Sequence, residues 1–250
     1  MIMKKVFKVC GVLLTMFMFL ACGKEEKKTI YVGTNAEFPP FEYLEKDQMV
    51  GFDVDFINAI GKEMGKEVVM KDMSFDGLLP ALQSKKVDLV IAGMTASEER
   101  KKAVNFSEPY YSANQVIVLQ DTNNDIKTFD DLKGKKIGVM LGFTGDLVIT
   151  EMGLPSEKFS AAYAGIMALQ NGKLDAVVLD SETAKNYVKN NKGLKLAETE
   201  GEAEDYAIAV RKEDKQLLDD VNKAIATLKS NGEFEKILKK YFCLLYTSPS

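Results

Sequence analysis

The chain has 250 residues, 46% of them apolar and 28% charged, and it contains neither histidine nor tryptophan. Its three cysteines fall at Cys10, Cys22 and Cys243, so residues 23–242 hold none. That excludes from the body a Ser-His-Asp triad, a Cys-His pair, an HExxH zinc site, a CxxC redox pair and any disulfide staple.

Residues 1–22 read as an export leader. Lys4, Lys5 and Lys8 give a basic start, and Val9–Leu20 is an apolar run short for a transmembrane helix. The run closes in Leu20-Ala21-Cys22-Gly23, which resembles a bacterial lipobox, although Phe19 replaces the usual leucine. This implies cleavage before Cys22, lipidation of its sulfur and firm attachment to a membrane surface. The alternative is an ordinary cleaved secretory signal. The 33 basic residues less the three leader lysines leave 30 against 37 acidic ones, a balance of about −7. The basic residues are scattered, so nucleic acid is not an expected partner.

After a charged linker over 23–28, short apolar runs alternate with amphipathic stretches, the pattern of an α/β fold. The expected strands cover Thr29–Gly33, Glu67–Lys71, Asp88–Ala92, Gln115–Leu119, Lys136–Leu141, Ala176–Leu179 and Tyr206–Val210. Asp53–Met64 reads as a helix from the spacing of Phe56, Ile57, Ile60 and Met64. Leu217, Val221, Ile225 and Leu228 form the apolar stripe of another helix, which Asn231-Gly232 stops. Phe234, Ile237, Leu238 and Tyr241 then mark one more short helix. Residues 243–250 have no helical period and are read as a non-native tail outside the fold.

An internal echo suggests two similar lobes. Leu82–Ile91 reappears as Leu169–Val178, each reading as helix, tight turn and buried strand opened by an aspartate. Ile30–Gly33 is echoed more weakly by Ile137–Met140. In such lobes ligands gather beyond the carboxyl ends of strands. There the first echo presents Gly93, Thr95, a Ser97 helix cap and Arg100, whereas the second presents Asp180. A guanidinium on one side and a carboxylate on the other match the two charges of an α-amino acid. Surface ion pairing is the plainer alternative for both residues.

Five ordered motifs over residues 29–242 carry a family resemblance: Gly33–Tyr43, Val50–Asp55, Phe75–Leu82, Thr95–Arg100 and Phe106–Tyr111. Together they resemble bacterial extracellular solute-binding proteins of family 3, which bind polar amino acids. The resemblance implies the type II periplasmic-binding-protein fold, with two α/β lobes joined by a two-strand hinge. Lobe 1 would hold residues 29–112 and 207–242, and lobe 2 residues 113–206. It further implies a monomeric lipoprotein that delivers its amino acid to an ABC transporter permease, with no cofactor and no metal.

Carried over residue by residue, Arg100 would hold the ligand carboxylate and Asp180 the ammonium. Thr95 and Gly93 would meet the same α-groups, Thr144 would add a contact from the second lobe, and Phe38 and Phe75 would sandwich the side chain. Asn35 stands where binders of basic amino acids usually carry aspartate, which favours a neutral polar side chain; nearby Glu37 could restore a negative charge. Phe143 and Met140 occupy positions often polar in relatives, making the second-lobe wall more apolar. Two rival functions use the same cleft: an exported cyclohexadienyl-dehydratase-like enzyme, and an amino-acid sensor.

Overall fold

The computed structural model describes residues 28–242. The expected leader, Cys22, all but the last residue of the expected 23–28 linker, and the expected tail over 243–250 lie outside the described residues.

The chain opens with β1 (Thr29–Thr34) and a small hairpin sheet of β2 (Glu37–Phe38), β3 (Glu42–Glu45) and β4 (Gln48–Val50). Helix α1 (Phe52–Glu63), β5 (Glu67–Asp72), α2 (Phe75–Gln83), β6 (Leu89–Val90), α3 (Glu98–Ala103) and β7 (Asn105–Phe106) follow. The chain then leaves this sheet for β8 (Tyr111–Gln120), a 3-10 turn over Phe129–Leu132, β9 (Ile137–Met140), α4 (Thr144–Glu151) and β10 (Ser156–Phe159). Next come α5 (Ala162–Gln170), β11 (Ala176–Asp180), α6 (Ser181–Asn190) and β12 (Leu194–Tyr206). It returns for β13 (Ala209–Val210), α7 (Lys215–Ser230) and α8 (Glu233–Tyr241).

Two five-stranded sheets result, β5-β1-β6-β13-β7 and β10-β9-β11-β8-β12. Their orders correspond position by position. In each, the opening strand pairs parallel with its two neighbours, and the third strand pairs antiparallel with the fourth. The echo in the sequence is therefore an echo in topology, with α2–β6 matching α5–β11.

Central strands are buried on both faces, so β9 and β11 are buried throughout and read as continuous apolar runs. Helix α1 turns Phe52, Phe56, Ile57 and Ile60 inward. Each large apolar side chain so buried contributes about 2 kcal/mol. An aromatic cluster backs the passage between lobes: Tyr111 stacks on Phe242 at 4.8 Å, and Phe41 meets Tyr206 edge-on at 5.3 Å. Tyr111 and Tyr206 are also register partners, so the outgoing and returning chains are hydrogen-bonded side by side where they cross.

The structure differs from the sequence expectations mainly around β12. Of its 13 residues, Leu194–Tyr206, only Tyr206 was expected in a strand, because Glu198–Asp205 carries four glutamates and little apolar content. As an edge strand it needs only the backbone of β8, and two register shifts accommodate its irregular middle. The run read as one strand over Tyr206–Val210 is split, because Ala207 and Ile208 are where the chain changes sheet. Among the described residues no helix is long and apolar enough to cross a membrane.

Candidate functional site

The carboxyl ends of β1 and β6 in one lobe face those of β9 and β11 in the other. Beyond β6 the chain runs through Gly93 to Thr95, and Met94–Ala96 lies along the end of β12: Ala207 N–H donates to the Met94 carbonyl at 3.1 Å, and Ala96 N–H to that of Asp205 at 2.9 Å. The Ser97 hydroxyl then caps α3 by accepting from the Arg100 N–H. This places Arg100 inward, and only 8% of it is exposed.

The Arg100 guanidinium spans the cleft. Its Nη1 donates to the Thr95 carbonyl and its Nη2 to the Gly142 carbonyl of the other lobe, both at 2.9 Å. Its carbon also lies 5.2 Å from the Phe75 ring centre. Burial lowers its pKa from the ordinary value, while the negative fields of Asp180 and Glu204 oppose that shift. The readings of Arg100 and Asp180 as surface ion-pair residues are both excluded, since Asp180 is only 2% exposed.

Asp180 closes β11 and accepts a short hydrogen bond from the Tyr206 hydroxyl. Burial raises its pKa, against the hydrogen bond from Tyr206 and the charge of Arg100. A chain of hydroxyls also crosses the cleft: Thr144 donates to Thr95 at 2.9 Å, and Thr95 donates to a Glu204 carboxyl oxygen at 3.2 Å. Burial, then Asp180, push the Glu204 carboxyl up.

The aromatic residues meet across the same gap. Phe143, just before α4 in the second lobe, lies against both first-lobe rings, 3.7 Å from Phe75 and 5.0 Å from Phe38 between centres. It holds the N-cap position of α4 without any side-chain capping bond. A serine or threonine there would typically add about 1 kcal/mol to the helix end. Asn35 is buried as well: its Nδ2 donates to the Met73 carbonyl at 3.0 Å, and its Oδ1 has no partner among the described residues.

Gly93 sits at φ +51°, and a Cβ there would come within 2.8 Å of the Phe38 ring. Its N–H donates to Asp53 Oδ2 at 2.9 Å, and the Tyr110 hydroxyl donates to the same oxygen at 2.8 Å. Behind Asp53 lies Glu42, fully buried, with no other residue donating to either carboxyl oxygen. Beyond burial, the nearby Asp53 carboxyl also disfavours ionisation of Glu42. Burial raises Glu42 well above the carboxylate range and pushes Asp53 up to about 6.

Because these folded-state values lie above the unfolded ones, the native state holds extra protons in between, and stability falls as pH rises. For Asp53 the window runs from 3.8 to about 6, and Glu42 extends it upward. Glu42→Gln keeps nearly the same shape but cannot ionise. Thermal melts across pH 4–8 are expected to show a flatter profile in this variant and a gain of about 2 kcal/mol at the alkaline end. A profile parallel to that of the unsubstituted protein would contradict a Glu42 that stays protonated in the folded state.

Of the residues singled out from the sequence, Phe38, Phe75, Gly93, Thr95, Arg100, Thr144 and Asp180 are linked by contacts to one another or through Phe143 and Tyr206, whereas the Asn35 side chain bonds only the Met73 carbonyl among the described residues. Sequence reasoning missed Glu204, Tyr206 and Gln115. Glu204 belongs to the unrecognised β12, whereas Tyr206 and Gln115 open the expected strands Tyr206–Val210 and Gln115–Leu119 but carry no motif. Phe143 was read only as part of an apolar wall. The available signal was an aromatic residue immediately before a helix start, where a capping side chain is usual.

The bacterial extracellular solute-binding proteins, family 3, match residues 30–243. The arginine-binding extracellular protein ArtP of Bacillus subtilis (strain 168) is 39% identical over 239 residues, covering 90% of this chain and 93% of that protein. Among solved structures, an ancestral arginine-binding protein bound to arginine is 46% identical with a TM-score of 0.83, covering 86% of this chain and 99% of that one. An ancestral arginine-binding protein bound to glutamine is 45% identical, also with a TM-score of 0.83, covering 86% and 98%.

Proposed function

Because this chain belongs to the bacterial extracellular solute-binding proteins of family 3, we propose that it captures a polar amino acid between its lobes and hands it to an ABC transporter permease. The observation that carries this reading is the opposed pair of buried charges, Arg100 in one lobe and Asp180 in the other. Arg100 binds the ligand carboxylate and Asp180 its ammonium. Thr95, the Gly93 carbonyl and Thr144 complete the grip on the α-groups, and the side chain enters between Phe38 and Phe75. Hinge motion at the Tyr111–Tyr206 pairing separates and rejoins the lobes, which we divide as 29–112 with 207–242 and 113–206.

Asn35 selects the side chain. Its buried, partnerless Oδ1 suits a neutral donor such as a carboxamide. Calorimetry with glutamine, asparagine, histidine, arginine, lysine, glutamate and cystine tests this. The reading expects glutamine to bind most tightly and lysine weakly. No binding by any of them would overturn the function, and tightest binding by lysine would overturn the side-chain assignment. We read the protein as a monomeric binder without cofactor or metal, not an enzyme. Turnover of a cyclohexadienyl acid by the purified protein would reverse that.

The family is exported, and we further propose that Cys22 carries the lipid that holds the protein on the membrane surface. Cys22→Ala is expected to move the protein from the membrane fraction to the soluble one and to abolish labelling with a radioactive fatty acid. Unchanged partitioning and labelling would exclude the anchor.

A further inference from the structure

The segment Gly142-Phe143-Thr144 presents to the first lobe three groups that an amino acid would also present. The Gly142 carbonyl accepts from Arg100 Nη2 at 2.9 Å, as a ligand carboxylate oxygen would. The Phe143 ring lies against Phe38 and Phe75, where a ligand side chain would enter. The Thr144 hydroxyl donates to Thr95 at 2.9 Å, from the side where the α-groups would bind.

Local structure is arranged for this presentation. Gly142 takes φ +77°, a conformation that L side chains rarely adopt, and this turns its carbonyl outward from the end of β9. Its N–H is fixed by Asp146 Oδ2 at 3.0 Å, and Asp146 in turn pairs with Lys158 at 2.9 Å. Phe143 stands where the helix would favour a capping side chain, so the ring breaks the local preference and its ring–ring contacts are made in the other lobe. Only 4% of it is exposed.

We propose that Gly142–Thr144 is a built-in competitor for the cleft, with Phe143 as its plug, holding the lobes closed on themselves until an amino acid displaces the ring. Phe143 is then a residue that sets both affinity and the side chains admitted. The identity of the displacing ligand rests on the function proposed above, but the self-closure does not. A protein that spends most of its time plugged binds more weakly in proportion to the fraction left competent. Removing a plug populated nine parts in ten would therefore tighten binding about tenfold.

Phe143→Ser removes the ring and supplies a normal helix cap, and Phe143→Thr is a second variant with the same logic. Each protein is first freed of co-purified amino acid by dialysis from denaturant and refolding, and thermal melts establish that it is folded. Small-angle X-ray scattering and glutamine calorimetry are then compared. The unsubstituted protein is expected to be compact in buffer alone and to change little with glutamine. The variants are expected to expand in buffer, to compact on adding glutamine, and to bind it about tenfold more tightly. Scattering in buffer identical to that of the unsubstituted protein would overturn the plug. So would unchanged or weaker glutamine binding alongside measurable binding by the unsubstituted protein, since the ring would then be neutral or a ligand contact. If no protein binds any amino acid, the proposed function fails, while the scattering in buffer still decides the self-closure.

Discussion

Arg100→Ala is expected to lower amino-acid affinity by more than a hundredfold. The guanidinium is the cation placed between the lobes by the α3 cap, and a ligand carboxylate would replace the neutral Gly142 carbonyl that it now holds. Hydrogen bonds to charged groups contribute about 1.5–3 kcal/mol each, so losing two costs at least two orders of magnitude. Arg100→Lys is expected to fall between, because a point charge cannot keep the Thr95 carbonyl and engage a carboxylate with one planar fork. Calorimetry with the amino acid that binds best measures both. Retention of full affinity by the alanine variant would remove Arg100 from the site.

Asp180→Asn is the second large effect, an expected loss of about a hundredfold. The carboxylate is buried with the Tyr206 hydroxyl donating to it, and the asparagine oxygen can still accept that bond. The substitution therefore removes a charge while leaving the local packing in place. What disappears is the compensation of a desolvated ammonium, for which no neutral group substitutes well in a closed cleft. Affinity measured beside a thermal melt separates the two roles. An unchanged melting temperature with a hundredfold loss of affinity fits ammonium binding. Unchanged affinity would move that task elsewhere, with Glu204 the nearest acid in the hydroxyl chain.

The parts legible in the sequence were those whose physics is local. β9 and β11 announce themselves as apolar runs because both faces are covered. α1 and α7 show apolar residues at helical spacing because one side of each is buried. The repeat of helix, turn and strand pointed to two lobes, and the shared strand order bears that out. β12 was illegible because it lies at a sheet edge and is specified by backbone pairing with β8, which leaves its side chains free to be acidic.

The site divides along the same line. Arg100 was legible through the Ser97 cap that aims it, and Asp180 through its place at a strand end. Glu204 came with the unread strand, and Tyr206 opened an expected one with no motif to mark it. The placement of Phe143 between two rings of the other lobe depends on how far apart the lobes stand, and no spacing along a chain encodes that.

The pairing of Tyr111 with Tyr206 has a mechanical meaning. Tyr206 ends β12 at the crossing point, holds Asp180 through its hydroxyl, and forms a backbone bridge with Thr95 of the first lobe. Glu204, two residues earlier on the same strand, terminates the hydroxyl chain. The proposed latch and the proposed axle would thus be cut from one piece of backbone. On the proposed function, a substitution within residues 204–206 is expected to change ligand grip and lobe closure together.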